Sequence, residues 1–94
     1  MKEKISQKKI QSVLTKYDIE LKHFLPGRVR VQVLHWKERE QILQTLLDDI
    51  RNDQAIYSVE FTSESGSVLI HYDYEASKLQ ETQKRWLSVL QKYS

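Results

Sequence analysis

Residues 23–34, HFLPGRVRVQVL, decide the fold of this chain. Pro26-Gly27 is a turn signal, because proline fixes φ and glycine accepts a positive φ. After the turn, apolar and polar side chains alternate cleanly, which is typical of a half-buried strand. One face of that strand, the valine face, carries Val29, Val31 and Val33, and the other, the arginine face, carries Arg28, Arg30 and Gln32.

The segment before the turn alternates less regularly, and we interpret residues 19–25 as a strand that pairs back on residues 28–34. A two-residue turn would pair Leu25 with Arg28 and would place Ile19 and Leu21 on the arginine face. We therefore expect either a bulge in the Pro26-Gly27 loop that resets the register, or an arginine face that is partly covered. An N-terminal helix is the obvious cover, and a dimer would bury the same surface.

The rest of the chain predicts three helices and two strands. The helices are expected at residues 2–17, 37–52 and 75–93, and the strands at residues 56–62 and 67–74, joined by a loop at residues 63–66. The side chains predicted to point into the core are Ile10, Val13, Leu14, Tyr17, Ile42, Leu43, Leu46, Leu47, Ile50, Tyr57, Val59, Phe61, Val68, Ile70, Tyr72, Leu79, Trp86, Leu87, Leu90 and Tyr93.

The element order is therefore α-β-β-α-β-β-α. From residue 28 onward it is a split β-α-β unit that lacks its last strand, and residues 19–24 can take that place from the other end. We predict an α+β, ferredoxin-like antiparallel sheet with two helices on one face and an extra N-terminal helix. We divide the chain into the amphipathic helix, residues 1–18, and the ferredoxin-like domain, residues 19–94.

Composition favours a globular binding domain. The chain has 94 residues, of which 39% are hydrophobic and 30% charged, and its net charge of +2 does not indicate nucleic-acid binding. The absence of cysteine excludes thiolate chemistry and disulfides. There is no phosphate-binding glycine loop and no grouped nucleophile. We expect a cytoplasmic protein that is not an enzyme.

Three histidines are the candidate metal ligands: His23, His35 and His71. A zinc or copper site needs two or more such groups that converge, and no pair lies at helical i, i+4 spacing. One interpretation is that His23 and His71 meet across adjacent strands and bind haem or a divalent metal. The other is three unrelated surface histidines with no cofactor.

Arg28 and Arg30 point the same way and can together bind a carboxylate or a phosphate. The alternative is a cross-strand ion pair with Glu60 or another acid. Trp36 is interpreted as a core residue or as part of a partner surface. The predicted partner surface comprises Arg28, Arg30, Gln32, Leu34, Trp36 and Leu69.

The acidic groups at the end of the second helix, Asp48, Asp49 and Asp53, are interpreted as solvent-facing.

The segments HFLPGRVRVQV and IYSVEFTSESGSVLIHYD resemble the heavy-metal-associated domain family, in particular a cysteine-free branch. The characteristic features are Pro26-Gly27-Arg28 at the strand start and a hairpin that continues from Gly66-Ser67 to Tyr72-Asp73. The resemblance implies a ferredoxin-like fold. It also implies that ordinary members bind soft metals through two cysteines in the loop that is here Leu34-His35-Trp36-Lys37, where His35 alone is of ligand type.

The resemblance and the missing cysteines together predict an adaptor domain of metal homeostasis that acts by protein–protein contact or by self-association. Two alternatives stay open. One is binding of haem or a divalent metal through the histidines. The other, which we favour less, is attachment of the lysine-rich N-terminal helix to a membrane surface.

Overall fold

The computed structural model describes residues 10–93, and the predictions for residues 2–9 lie outside them. The described strands form one four-stranded antiparallel sheet in the order β1-β2-β4-β3, and helices connect and flank them. The bounds are α1 at residues 10–16, β1 Ile19–Leu25, β2 Arg28–Val33, a 3₁₀ helix Trp36–Arg39, α2 Glu40–Arg51, β3 Ile56–Thr62, β4 Ser67–Tyr72, α3 Tyr74–Ser77 and α4 Gln80–Gln91. The predicted ferredoxin-like fold is confirmed, with β1 in the place of the usual last strand.

A bulge in β1 resolves the register conflict at the hairpin. Leu25 pairs with Arg28 across the two-residue turn, and Gly27 has the positive φ of 84° that this turn requires. Between Leu21 and His23 the register shifts, so Ile19 pairs with Val33. Because directly paired residues share a face, Ile19 lies on the valine face and packs against the core. The bulge therefore lies inside the strand and not in the loop.

Two hydrophobic clusters hold the helices on the valine face. The first joins Val33, Val59 and Val68 of the sheet to Leu43 and Leu47 of α2. The second is Val13, Tyr17, Leu46 and Tyr93, which joins α1 to α2 and to the end of the chain, with Ile19 of β1 packed against it. The described part of the N-terminal helix thus packs beside α2, and the expectation that it covers the arginine face is wrong.

The sheet carries a second bulge that corrects another prediction. The register of β3 and β4 shifts between Ile56 and Ser58, so Ile56 takes the inward position that strict alternation assigns to Tyr57. Ile56 packs against the first cluster, and the Tyr57 side chain is 69% exposed. Val59 and Val68 are buried as predicted.

The predicted third helix is broken. The Asp73 carboxylate accepts a hydrogen bond from the Ala76 amide and caps the single turn α3, and Leu79 is then extended (ψ 137°) before α4 begins. The break turns Leu79 to the surface, where it is 58% exposed, so its predicted core position is wrong. Ile42 of α2 is also exposed.

Gly66, in the β3–β4 hairpin, is the glycine at which a side chain would be most disruptive. Its φ is 73°, and a Cβ there would lie 2.6 Å from the Val33 carbonyl oxygen. We expect Gly66→Ala to lower the free energy of unfolding by about 3 kcal/mol in urea denaturation. Gly27→Ala is the matched control: φ is also positive, but the nearest atom is 3.3 Å away, so we expect a loss of about 1 kcal/mol. Equal losses would contradict the steric explanation.

Candidate functional site

The arginine face brings together most of the side chains that the sequence singled out. Arg30 of β2 lies opposite His23 of β1 and Leu69 of β4, and Arg28 lies opposite His71. Gln32 follows on the same face, and its amide donates to the Ser65 carbonyl at 2.8 Å. Both hydrophobic clusters lie on the valine face, so no described helix is packed on this one.

Arg28 and Arg30 have no counter-ion within residues 10–93. Arg30 is exposed, and neither guanidinium takes part in any of the ion pairs or hydrogen bonds of the described residues. The Nε of Arg28 is shielded from solvent and has no hydrogen-bond partner there either. The alternative ion pair with Glu60 is not formed. Glu60 is on β3, opposite Leu69 of β4, and β4 therefore lies between Glu60 and Arg30. A shielded donor without a partner is uncommon and calls for an acceptor.

The histidines do not converge. His71 is on β4, and its Nδ1 lies 3.1 Å from the hydroxyl of Ser58 on β3. His23 is on β1 at the sheet edge, and β2 lies between the two, so the prediction that they meet across adjacent strands is wrong. His35 is in the turn after β2 with φ 58°, and its ring lies 4.0 Å from the Glu38 carboxylate. Among residues 10–93 no three His, Asp or Glu side chains are grouped to hold a metal.

The loop after β2 is occupied by Trp36. The indole packs edge-on against Phe61, with ring centroids 5.0 Å apart, and its Nε1 donates to the Ser63 carbonyl at 3.0 Å. At the start of the loop, the Leu34 amide donates to the Asp18 carbonyl, and Leu34 is half-buried. Trp36 thus packs on the valine-face core, away from Arg28 and Arg30. The donor set of this loop does not fit a soft metal, since it offers one imidazole and no thiolate.

Asp53 carries a largely buried carboxylate whose contacts the sequence interpretation missed. Its carboxylate accepts hydrogen bonds from Arg85 Nε at 2.9 Å, Arg85 Nη2 at 3.1 Å, Trp86 Nε1 at 3.0 Å and the Ala55 amide at 2.9 Å. The side chain is 9% exposed, so the solvent-facing interpretation is wrong. The hydrogen bonds from Arg85 lower the pKa of Asp53 to about 2, against the effect of burial. An acid just after a helix C-terminus, which the helix dipole disfavours, is the sequence signal for such a role.

A second polar contact holds the chain just after the C-terminus of α4. The Tyr93 hydroxyl donates to the Asp49 carboxylate at 2.6 Å, and the Tyr17 hydroxyl donates to the Tyr93 carbonyl at 2.7 Å. Burial, together with the Asp49 hydrogen bond, raises the pKa of Tyr93 to about 12. Asp49, like Asp53, is therefore not simply solvent-facing. The middle of α4 is thus fixed to the turn after α2, and the residues just after α4 are fixed to α2 itself.

Comparison with known proteins identifies a protein family. The family model described as heavy metal associated domain 2 matches residues 5–91. No curated protein and no solved structure matches the chain. In the described part of the chain, no helix is long and apolar enough to cross a membrane.

The Asp53 contacts predict a stability change at acid pH. Because the pKa is about 2 in the folded protein and 3.8 ordinarily, the stabilisation is present above pH 4 and is lost as pH falls toward 2. We expect Asp53→Asn to lower the free energy of unfolding by about 2 kcal/mol at pH 6, with the difference from wild type shrinking between pH 4 and 2. The measurement is urea denaturation at each pH.

Asp48→Asn is the matched control, since the Asp48 side chain is 66% exposed and pairs only with Arg51 among the described residues. A surface ion pair of this kind contributes little, so the variant should stay within about 0.5 kcal/mol of wild type. An Asp53→Asn difference that is constant from pH 6 to pH 2 would contradict the assignment.

Proposed function

The chain belongs to the heavy metal associated domain 2 family, and on that premise we propose that it is a non-catalytic docking domain of metal homeostasis that binds an acidic protein surface. The single observation that carries the proposal is the pair Arg28 and Arg30, two guanidinium groups without a counter-ion among the described residues, on a sheet face that no described helix covers. In this proposal the domain keeps the sheet of its family and recognises a partner with it.

The loop after β2 argues against soft-metal transport as the function. A copper or zinc site needs at least two converging soft ligands, and His35 stands alone among the loop side chains. The His35 ring is 63% exposed and lies beside Glu38 at the surface. Trp36 fills the other side of the loop through its contacts with Phe61 and Ser63. We therefore propose that no residue of this loop binds a soft metal.

Charge and geometry favour a carboxylate-bearing partner on the arginine face. Arg28 and Arg30 project from the same face two residues apart, and a guanidinium binds a carboxylate through two parallel hydrogen bonds. On β1, His23 lies opposite Arg30, and on β4, His71 lies opposite Arg28. Leu69, also on β4, lies opposite Arg30 and adds an apolar side chain to the face. Base recognition on a sheet requires aromatic side chains for stacking, and β2 has none, so RNA is not the proposed partner.

The described part of the N-terminal helix does not favour membrane attachment as the function. Val13 and Tyr17, two residues of its apolar stripe, are buried in the second cluster against Leu46 and Tyr93. An apolar stripe that is already packed on the domain has little surface left for a bilayer interface. Self-association through the arginine face is an outcome that the following experiment distinguishes.

We expect hexaglutamate, used as a model acidic peptide, to shift the backbone amide signals of β2 and β4 in an NMR titration. Arg30→Glu should weaken binding at least about tenfold, equivalent to about 1.4 kcal/mol, because it replaces an attraction with a repulsion. Raising the salt concentration should weaken binding further, since exposed charges are screened.

The matched control is Lys84→Glu, the same charge reversal at an exposed position of α4. It should leave the affinity for the peptide within about twofold of wild type, a difference well below 1 kcal/mol. Shifts confined to His23, His35 or His71 with zinc or haem, and none with the peptide, would overturn the proposal in favour of a metal or haem site. Shifts that depend on protein concentration alone would show self-association instead.

A further inference from the structure

A cavity of about 420 Å³ lies between α4 and the valine face of the sheet. It is separate from the arginine face, which is on the opposite side of the sheet. Its walls are almost entirely apolar, and their principal members are Phe24, Val29, Ile70 and Tyr72 from the strands and Trp86 and Val89 from α4. The space is a cleft that is open to solvent where Phe24 is 58% exposed, and an apolar surface of this kind calls for an explanation.

Fixed polar contacts keep the walls apart. Asp53 holds the Trp86 indole by a 3.0 Å hydrogen bond, and the same indole packs edge-on against Tyr72, with centroids 5.8 Å apart. Just after the C-terminus of α4, Tyr93 is hydrogen-bonded to Asp49 of α2. Because the middle of the helix and the residues that follow it are held on α2 and its following turn, α4 stays apart from the strands around the cavity. The cavity is thus a preformed feature of the fold.

The cavity offers few polar groups to a ligand. Its polar lining residues are Asp49, Asp53, Ser77 and Tyr72, and of these only the Tyr72 side chain takes part in no hydrogen bond of the described residues. Asp49 accepts from Tyr93, Asp53 accepts from Arg85 and Trp86, and the Ser77 hydroxyl donates to the Tyr74 carbonyl at 2.6 Å. Small-molecule sites are typically clefts lined mostly by apolar side chains with a few polar groups. A volume of 420 Å³ lies in the range of small-molecule sites, about 300–1,000 Å³.

The shape selects the class of ligand. A single helical turn, about 10 Å across and 5.4 Å long, already takes up about the whole 420 Å³, so a further helix has no room. An extended hydrocarbon chain is thin enough to enter. Phe24, 58% exposed, marks the mouth at β1, and Leu21, 57% exposed, continues the apolar surface beside it on the same face. We propose that this cavity binds the hydrocarbon chain of a single-chain amphiphile, with its head group in water beside Phe24.

The test is a methyl- and indole-resolved NMR titration of the full chain with octyl, decyl and dodecyl maltosides, each below its micelle concentration. We expect saturable shifts of the Trp86 indole and of the Val29, Ile70 and Val89 methyls. Affinity should rise about fourfold for each added methylene, which is the transfer free energy of one buried CH₂, about 0.8 kcal/mol. Zwitterionic amphiphiles of the same chain length should bind with similar affinity, because the chain and not the head group is recognised.

Val29→Phe fills the cavity from the strand side and should abolish the shifts while the protein stays folded. Leu79→Phe is the control, since Leu79 is exposed outside the cavity and its variant should bind like wild type. Arg30→Glu should also bind like wild type, which separates this proposal from the one for the arginine face. Absent shifts, affinity that does not depend on chain length, or unchanged binding by Val29→Phe would overturn the proposal. Binding of a partner helix at the same residues, with no alkyl binding, would overturn it as well.

Discussion

The hydrogen bonds to the Asp53 carboxylate determine where the last helix lies. They join the turn after α2 to Arg85 and Trp86 of α4, in an environment where the carboxylate is almost wholly removed from solvent. Removing a charge from water is costly unless it is fully paired, so this position of α4 is strongly preferred over alternatives that leave Asp53 unpaired. The Tyr93–Asp49 contact fixes the far end. The cavity beneath α4 and the exposure of Phe24 both follow from this placement.

The loop after β2 is filled by a tryptophan side chain. The Trp36 indole contacts Phe61 and Ser63 of the neighbouring hairpin. Gly66 lies so close to Val33 and Trp36 that a side chain has no room there. Loop and hairpin are therefore packed as one unit. The chemically unused groups are on the arginine face, where Arg28 and Arg30 have no counter-ion among the described residues.

Local patterns predicted the elements that depend on local physics. The alternating valines of β2, the Pro26-Gly27 turn and the Gly66 hairpin were all predictable, because a strand period and a positive φ are readable from residue type. The bulges before His23 and after Ile56 were not, because either register is locally allowed and packing against α2 decides between them. Asp53 was missed for a related reason: its partners are 32 and 33 residues away. The faces of Arg28 and Arg30 were predicted, but the separation of His23 from His71 needed the strand order.

The most direct test of the central claim is a double-mutant cycle between Asp53→Asn and Trp86→Phe, measured as the free energy of unfolding at neutral pH. Trp86→Phe removes the indole donor and keeps an aromatic ring beside Tyr72. If the Asp53 carboxylate positions α4 through the indole, the two changes should be coupled by about 1.5 kcal/mol, the contribution of a hydrogen bond to a charged group. Effects that add to within about 0.5 kcal/mol would show that Asp53 and Trp86 act independently, and would contradict the claim.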